Sequence, residues 1–203
     1  MNSLLSGLLP TATNMIRVDH THAMSTFHQY KASAPPRVRK GLVLTLCTAL
    51  EIHAQLEEEI FYPAMREVPG GNEILGDSTT EHQEMKRLVT MLRQMEPEAR
   101  DYDETVWALM RVVLHHVADE ETVVLPAAER LLGDRLGELG ARMTKRRLEL
   151  VAPRTGEIAL NMGRAASGNK AALAVAALGA AGLLFMRHAG RLPGRRADLR
   201  VGR

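Results

Sequence analysis

The chain has 203 residues, only 3% of them aromatic, and a formal net charge of +2 at pH 7. So few aromatics, with no long β-branched run, exclude a β-sandwich or barrel and favour helices. A single cysteine, Cys47, excludes a disulfide framework and any cysteine-based zinc site.

The first residues, Met1 to Leu5, hold neither a basic stretch nor a usable apolar run. No signal peptide is expected from them, and the setting is expected to be cytoplasmic. Four long helical patterns then follow. The first comes after Pro10, with Thr13 or Asn14 able to cap it, and runs to about Ser33 before Pro35-Pro36. The second runs from about Arg37 to Arg66 and stops at Pro69-Gly70-Gly71. The third starts near Asp77-Ser78 and ends before Pro97, and the fourth runs from near Asp101 to Gly133. The short connections predict an all-α, up-down-up-down four-helix bundle over residues 10–132. Beyond it the pattern predicts a short basic accessory helix over 133–152, a linker over 153–170, an apolar helix over 171–187 and an arginine-rich tail over 188–203.

Charge is split along the same boundary. Residues 1–134 hold 12 Lys and Arg against 20 Asp and Glu, and seven of the eight histidines; residues 135–203 hold 14 against 4. An acidic, histidine-rich segment without cysteine suits a hard or borderline cation held by imidazole and carboxylate.

Stepping three or four residues at a time picks out the inward row of each helix. The rows are Ile16, His20, Ala23, Phe27, Tyr30; then Val43, Leu46, Leu50, His53, Glu57, Ile60, Ala64; then His82, Met85, Val89, Leu92; and finally Val106, Leu109, Val113, His116, Glu120, Val123, Ala127. Each apolar row is interrupted by one histidine, and two rows carry a glutamate one turn further on. A buried carboxylate must be paired or bound to a cation, because its burial alone costs several kcal/mol. Aligning His53 with His116 also matches Glu57 with Glu120, Glu58 with Glu121, Pro63 with Pro126 and Ala64 with Ala127. A proline inside a helical pattern bends or ends the helix. Its recurrence predicts two helices of one shape around a pseudo-symmetric site.

Four imidazoles and two carboxylates exceed the four ligands of a tetrahedral zinc. Shared between two ions with bridging carboxylates, they suit two iron ions, or an iron–manganese pair, inside a bundle. The order His-x-x-x-Glu differs from the Glu-x-x-His of ferritin-like bundles.

The chain resembles the hemerythrin-like family, the HHE cation-binding domains. The likeness rests on Asp19-His20, on His53-x-x-x-Glu57 with Glu58 and Pro63, on Glu81-His82, and on His116-x-x-x-Glu120 with Glu121 and Pro126. It implies a non-haem di-iron site with His20, His53, His82 and His116 as terminal ligands and Glu57 and Glu120 as bridges. It also implies a small ligand: oxygen, nitric oxide or peroxide, or a role in sensing iron. Hemerythrin has a fifth histidine, in a His-x-x-x-His pair on its third helix. Here the positions four residues either side of His82 are Ser78 and Lys86. A missing fifth imidazole would leave a coordination position open, favouring reactivity over reversible oxygen carriage. His22, His28 or His115 could supply it, although none shares a row with its neighbouring ligand.

Glu58 and Glu121, one step off the rows, could replace Glu57 and Glu120 as ligands near a kink, but the main expectation is that they accept hydrogen bonds around the site or face solvent. Tyr30, at the end of the first row, and Tyr62, near the second, could each be a redox-active or hydrogen-bonding neighbour of the site, with core packing the main expectation for both, and Cys47 is expected to be a buried, inert thiol. In the last third, Ala171 to Met186 is uncharged over sixteen residues, slightly short of the roughly 20 that cross a bilayer. Residues 171–203 could meet a membrane surface, placing the protein at an inner membrane, or could assemble a homo-oligomer. No aromatic interleaving supports nucleic-acid binding. The main expectation is therefore a metal- and small-ligand-binding protein more than an enzyme; an enzyme here would be an oxidoreductase acting on peroxide or nitric oxide. The rival is a metal-independent helical interaction module assembled or anchored through its C-terminal helix.

Overall fold

The protein is described here from a computed structural model, which covers residues 9–166; the apolar run at 171–187 and the arginine-rich tail lie outside them, with the membrane and assembly expectations attached to those residues. Helix α1 (Ala12–Gln29) starts two residues earlier than expected, because Thr11 caps it by accepting from the Asn14 N–H at 3.3 Å. Helix α2 begins with Pro36 in its first turn, where the missing N–H is no loss. It runs over Pro36–Leu56, passes through a π-helical turn at Glu57–Phe61 and resumes over Tyr62–Arg66. A short α3 (Gly71–Leu75) leads to α4 (Ser78–Gln94). Helix α5 repeats the form of α2: Tyr102–Asp119, a π turn at Glu120–Val124, then Leu125–Leu132. It stops at Gly133, whose φ of +45° an L side chain would resist.

Helices α1, α2, α4 and α5 form the up-down-up-down bundle, with α5 closing against α1. Helix α6 (Arg135–Val151) packs on α1 and α2. The linker expected over 153–170 is a different thing in its described part: a 3-10 turn at Ala152–Arg154 and a seventh helix, α7 (Thr155–Ala165), packed on α2. Gly156, Asn161 and Gly163 make this segment a weak helix on its own. Docking holds it instead. Gly41 lets the two backbones meet, since a Cβ there would lie 2.6 Å from the Ala165 nitrogen and 2.7 Å from the Asn161 carbonyl oxygen. At the other end Glu157 accepts from Arg93 at 2.7 Å and from Thr48 at 3.0 Å, while Glu51 pairs with Arg93 and Arg154.

The core is divided. One apolar cluster includes Ile16, Leu56, Phe61 and Leu125; another includes Phe27, Leu46, Val89 and Leu109. Between them lies a polar layer of buried histidines and glutamates. Every residue of the four expected rows is buried except Val123, which is 52% exposed while Val124 takes its place. The π turn is the cause: it holds an extra residue, so the inward row slips by one position. The same widened turn precedes each proline and relieves the clash of the proline ring with the preceding turn.

Candidate metal centre

Each bundle helix contributes one histidine to the polar layer. The imidazoles of His20, His53, His82 and His116 are all 4% exposed or less, and Glu57 and Glu120 have no exposed surface. All four Nε2 atoms point to the axis. His53 Nε2 and His82 Nε2 each lie 3.3 Å from Glu57 Oε2, and His20 Nε2 and His116 Nε2 lie 3.2 and 3.6 Å from Glu120 Oε2. His82 Nε2 and His116 Nε2 face each other at 3.2 Å. The six residues expected from the sequence are therefore brought together.

The opposite edge of each ring explains its orientation. His20 Nδ1 meets Glu121 at 2.8 Å, His53 Nδ1 meets Asp19 at 3.4 Å, His82 Nδ1 meets Glu58 at 3.1 Å and His116 Nδ1 meets Glu81 at 3.0 Å. These four carboxylates form a closed ring in which each helix orients the histidine of the next, α1 to α2, α2 to α4, α4 to α5 and α5 back to α1. Each is held from outside by a further basic side chain: Glu121 by Arg17, Asp19 by Arg147, Glu58 by Lys86 and Glu81 by His115. Asp19 and Glu81 thus serve the neighbouring helix and not the histidine beside them in sequence. Lys86, four residues after His82, does not face the axis; it secures Glu58.

A carboxylate at Nδ1 selects the tautomer that carries its proton there, leaving a lone pair on Nε2. The axis then collects acceptors with few donors. His20 Nε2, Glu57 Oε1 and Glu120 Oε2 are buried without a hydrogen-bond partner. Such a concentration of buried acceptors needs positive charge, from protons or cations, to offset its burial. Two overlapping sets, His20/His53/His116/Glu120 and His53/Glu57/His82/His116, have donor atoms within 4.8 Å of one another. This donor set fits a pair of ions.

The ionisation of these side chains follows from the same crowding. Burial, with Glu120 nearby, pushes Glu57 well above the carboxylate range. Burial acts on Glu120 in the same sense, but the close imidazoles of His20, His116 and His53 hold it down at about 2. His20 rises to about 9, since its contacts with Glu120 and Glu57 outweigh burial. Burial lowers His53 to about 4 and also lowers His82 and His116.

Tyr62, expected to be core packing, is part of this layer. Its hydroxyl donates to Glu120 Oε1 at 2.9 Å and lies 3.3 Å from both Glu57 Oε2 and His82 Nε2. Tyr30 is elsewhere, donating to Asp103 and packing edge-on to Trp107. No further imidazole joins the six among the described residues. His28 is exposed, His115 is on the surface beside Glu81 and Asp119, and His22 borders a cavity next to the layer.

The sequence profile of the hemerythrin HHE cation-binding domain matches residues 11–128, and a second match covers 79–152. The chain belongs to the hemerythrin HHE cation-binding family. Its fold is similar to the crystal structure of an HHE cation-binding domain-containing protein from Mycobacterium kansasii, with a TM-score of 0.63 and 19% identity over 82% of this chain and 99% of that one. A protein of Mycobacterium tuberculosis described as uncharacterized is 34% identical over 100 residues, 48% of this chain and 60% of that protein. A protein named DNA nickase from Nostoc is 27% identical over 150 residues, 74% of this chain and 42% of that protein. The chain therefore spans between two fifths and three fifths of the length of these two relatives. As an HHE domain it is a metal-binding bundle. Among the described residues, no helix is long and apolar enough to cross a membrane.

Proposed function

We propose that the bundle holds two iron ions, or an iron–manganese pair, through His20, His53, Glu57, His82, His116 and Glu120, and uses them to bind or sense oxygen or a related small molecule such as nitric oxide or peroxide. One observation carries this reading: four imidazole Nε2 atoms and two carboxylates converge in a fully buried layer with the Tyr62 hydroxyl among them. The ions would supply redox and Lewis-acid chemistry toward the small ligand. The chain supplies the rest. The four outer carboxylates hold each imidazole in its tautomer and raise its basicity. Glu57 and Glu120, on opposite helices, would each offer a carboxylate to the ions. Tyr62 holds a proton at Oη next to the acceptors.

An interaction module without metal has no use for buried glutamates four residues after buried histidines, so the rival reading is the weaker one. The deciding experiment is metal analysis with an absorption spectrum on the full chain expressed with iron and exposed to air. About two irons per chain, with a charge-transfer band lost in His53→Ala and Glu120→Ala, is expected. A metal-free, colourless and still helical chain would sink the proposal.

A further inference from the structure

The four outer carboxylates are not equally held. Glu121, Asp19 and Glu58 each meet a side chain that is positively charged at neutral pH: Arg17 at 3.2 Å, Arg147 at 2.5 Å and Lys86 at 2.5 Å. Glu81 has no lysine or arginine partner among the described residues. Its Oε2 lies 3.0 Å from His116 Nδ1, and its Oε1 faces His115 Nε2 at 3.5 Å, beyond the usual length of a hydrogen bond. A second carboxylate approaches the same nitrogen. Asp119, one turn after His115 on α5, brings its Oδ2 to 3.8 Å from it.

These three side chains come from two helices and differ from the buried six in exposure. His115 is 72% exposed and Asp119 55%, while Glu81 is 13% exposed and anchored by its contact with His116. One ligand atom from each lies within 4.8 Å of the other two. Two donors on one small cation, each about 2.1 Å from it, stand roughly 3–3.5 Å apart. Small rotations of the two exposed side chains therefore bring His115 and Asp119 onto an ion that Glu81 already faces. One imidazole with two carboxylates suits a borderline divalent ion of the first transition row, whereas Mg²⁺ takes oxygen ligands and keeps much of its water. A cation there would supply at Glu81 the charge that arginine or lysine supplies at the other three carboxylates.

We infer that Glu81, His115 and Asp119 form an exposed site for one divalent transition-metal ion, distinct from the buried layer and joined to it through Glu81. The inference goes beyond the proposed iron pair, and its readout is at His115 itself, so it stands or falls whatever iron the buried residues hold. The full chain is treated with diethyl pyrocarbonate with and without Zn²⁺, and the modified histidines are mapped by mass spectrometry. Zn²⁺ should protect His115 saturably, the exposed His28 should stay reactive as the internal reference, and Mg²⁺ should protect neither. Asp119→Asn should raise the Zn²⁺ concentration needed by about tenfold or more, the scale on which losing even an outer partner of a metal ligand weakens affinity. Iron content and helicity should not change in that variant. Glu104→Gln, which removes another exposed carboxylate of α5, should leave the protection as it was. Failure of Zn²⁺ to protect His115, equal protection by Mg²⁺, an unchanged midpoint in Asp119→Asn, or an equal loss in Glu104→Gln would each overturn the inference.

Discussion

Helices α2 and α5 carry the same device and put it to different use. In each, a histidine is followed by a glutamate at four residues, a π turn that begins at that glutamate, and a proline just after it. Yet burial pushes Glu57 up while contacts with His20 hold Glu120 down at about 2. The backbone is symmetric and the neighbours are not: His20 lies against Glu120, and Tyr62 of α2 corresponds to Leu125 of α5, an apolar residue. The outer faces differ too. Helix α2 is covered by α6 and α7, whereas α5 leaves Leu114 47% and Val123 52% exposed. A repeated backbone motif fixes where donors stand; the asymmetric partners decide how each is tuned.

The largest expected effect breaks the symmetric part. Glu57→Ala and Glu120→Ala each remove the carboxylate from one of the two overlapping donor sets, and iron content should fall from about two to below one per chain in either variant. Equal loss supports two bridging carboxylates; loss in one alone would mean that the helices are not equivalent in metal binding. Next come the residues that orient the rings. Glu58→Gln and Glu121→Gln, on the pseudo-symmetric positions, should each weaken metal affinity by about 10–100-fold, read by chelator competition. Unchanged affinity would show that the carboxylate ring does not set ligand basicity. A smaller effect addresses the covered face. Gly41→Leu drives a side chain into Asn161 and Ala165 and should cost about 1–3 kcal/mol in the thermal or denaturant transition, with earlier proteolysis in α7 and full iron content retained.

The rows of α1, α2, α4 and α5 and their six donors were legible because a 3.6-residue period survives up to the π turns. Within the α5 turn it slips at one position, where Val124 is buried in place of Val123. Tyr62 was legible only as a possible neighbour of the site, with packing the main expectation, for the same reason. Nine residues after His53, at about 100° per residue, it belongs on the far side of an α-helix; the extra residue in the turn swings it back towards the axis. The four outer carboxylates stand beside their motifs in sequence, but their partners lie on neighbouring helices, so no spacing along one helix pairs Asp19 with His53 or Glu81 with His116. Helix α7 was missed because its stability resides in what it touches: a glycine on α2, and Arg93 with Thr48 on either side of Glu157.

The covered face of α2 also makes the mildest prediction. Cys47 is a free thiol with no exposed surface, and burial raises it to about 12, with Arg93 opposing and Glu51 and Glu157 adding to the rise. The folded state therefore prefers the neutral thiol. Its contribution to stability is fully present below the unfolded thiol value of about 8.5 and is lost as pH rises towards 12. At pH 8 a chromogenic disulfide reagent should find almost no reactive thiol in the native chain and one per chain in denaturant. Gly41→Leu, by lifting α7 from α2, should speed the native reaction without changing the denatured count. Fast labelling of the unmodified native chain would mean that α2 is open to solvent on this side, and the contrast with α5 would then reduce to the asymmetry of the site itself.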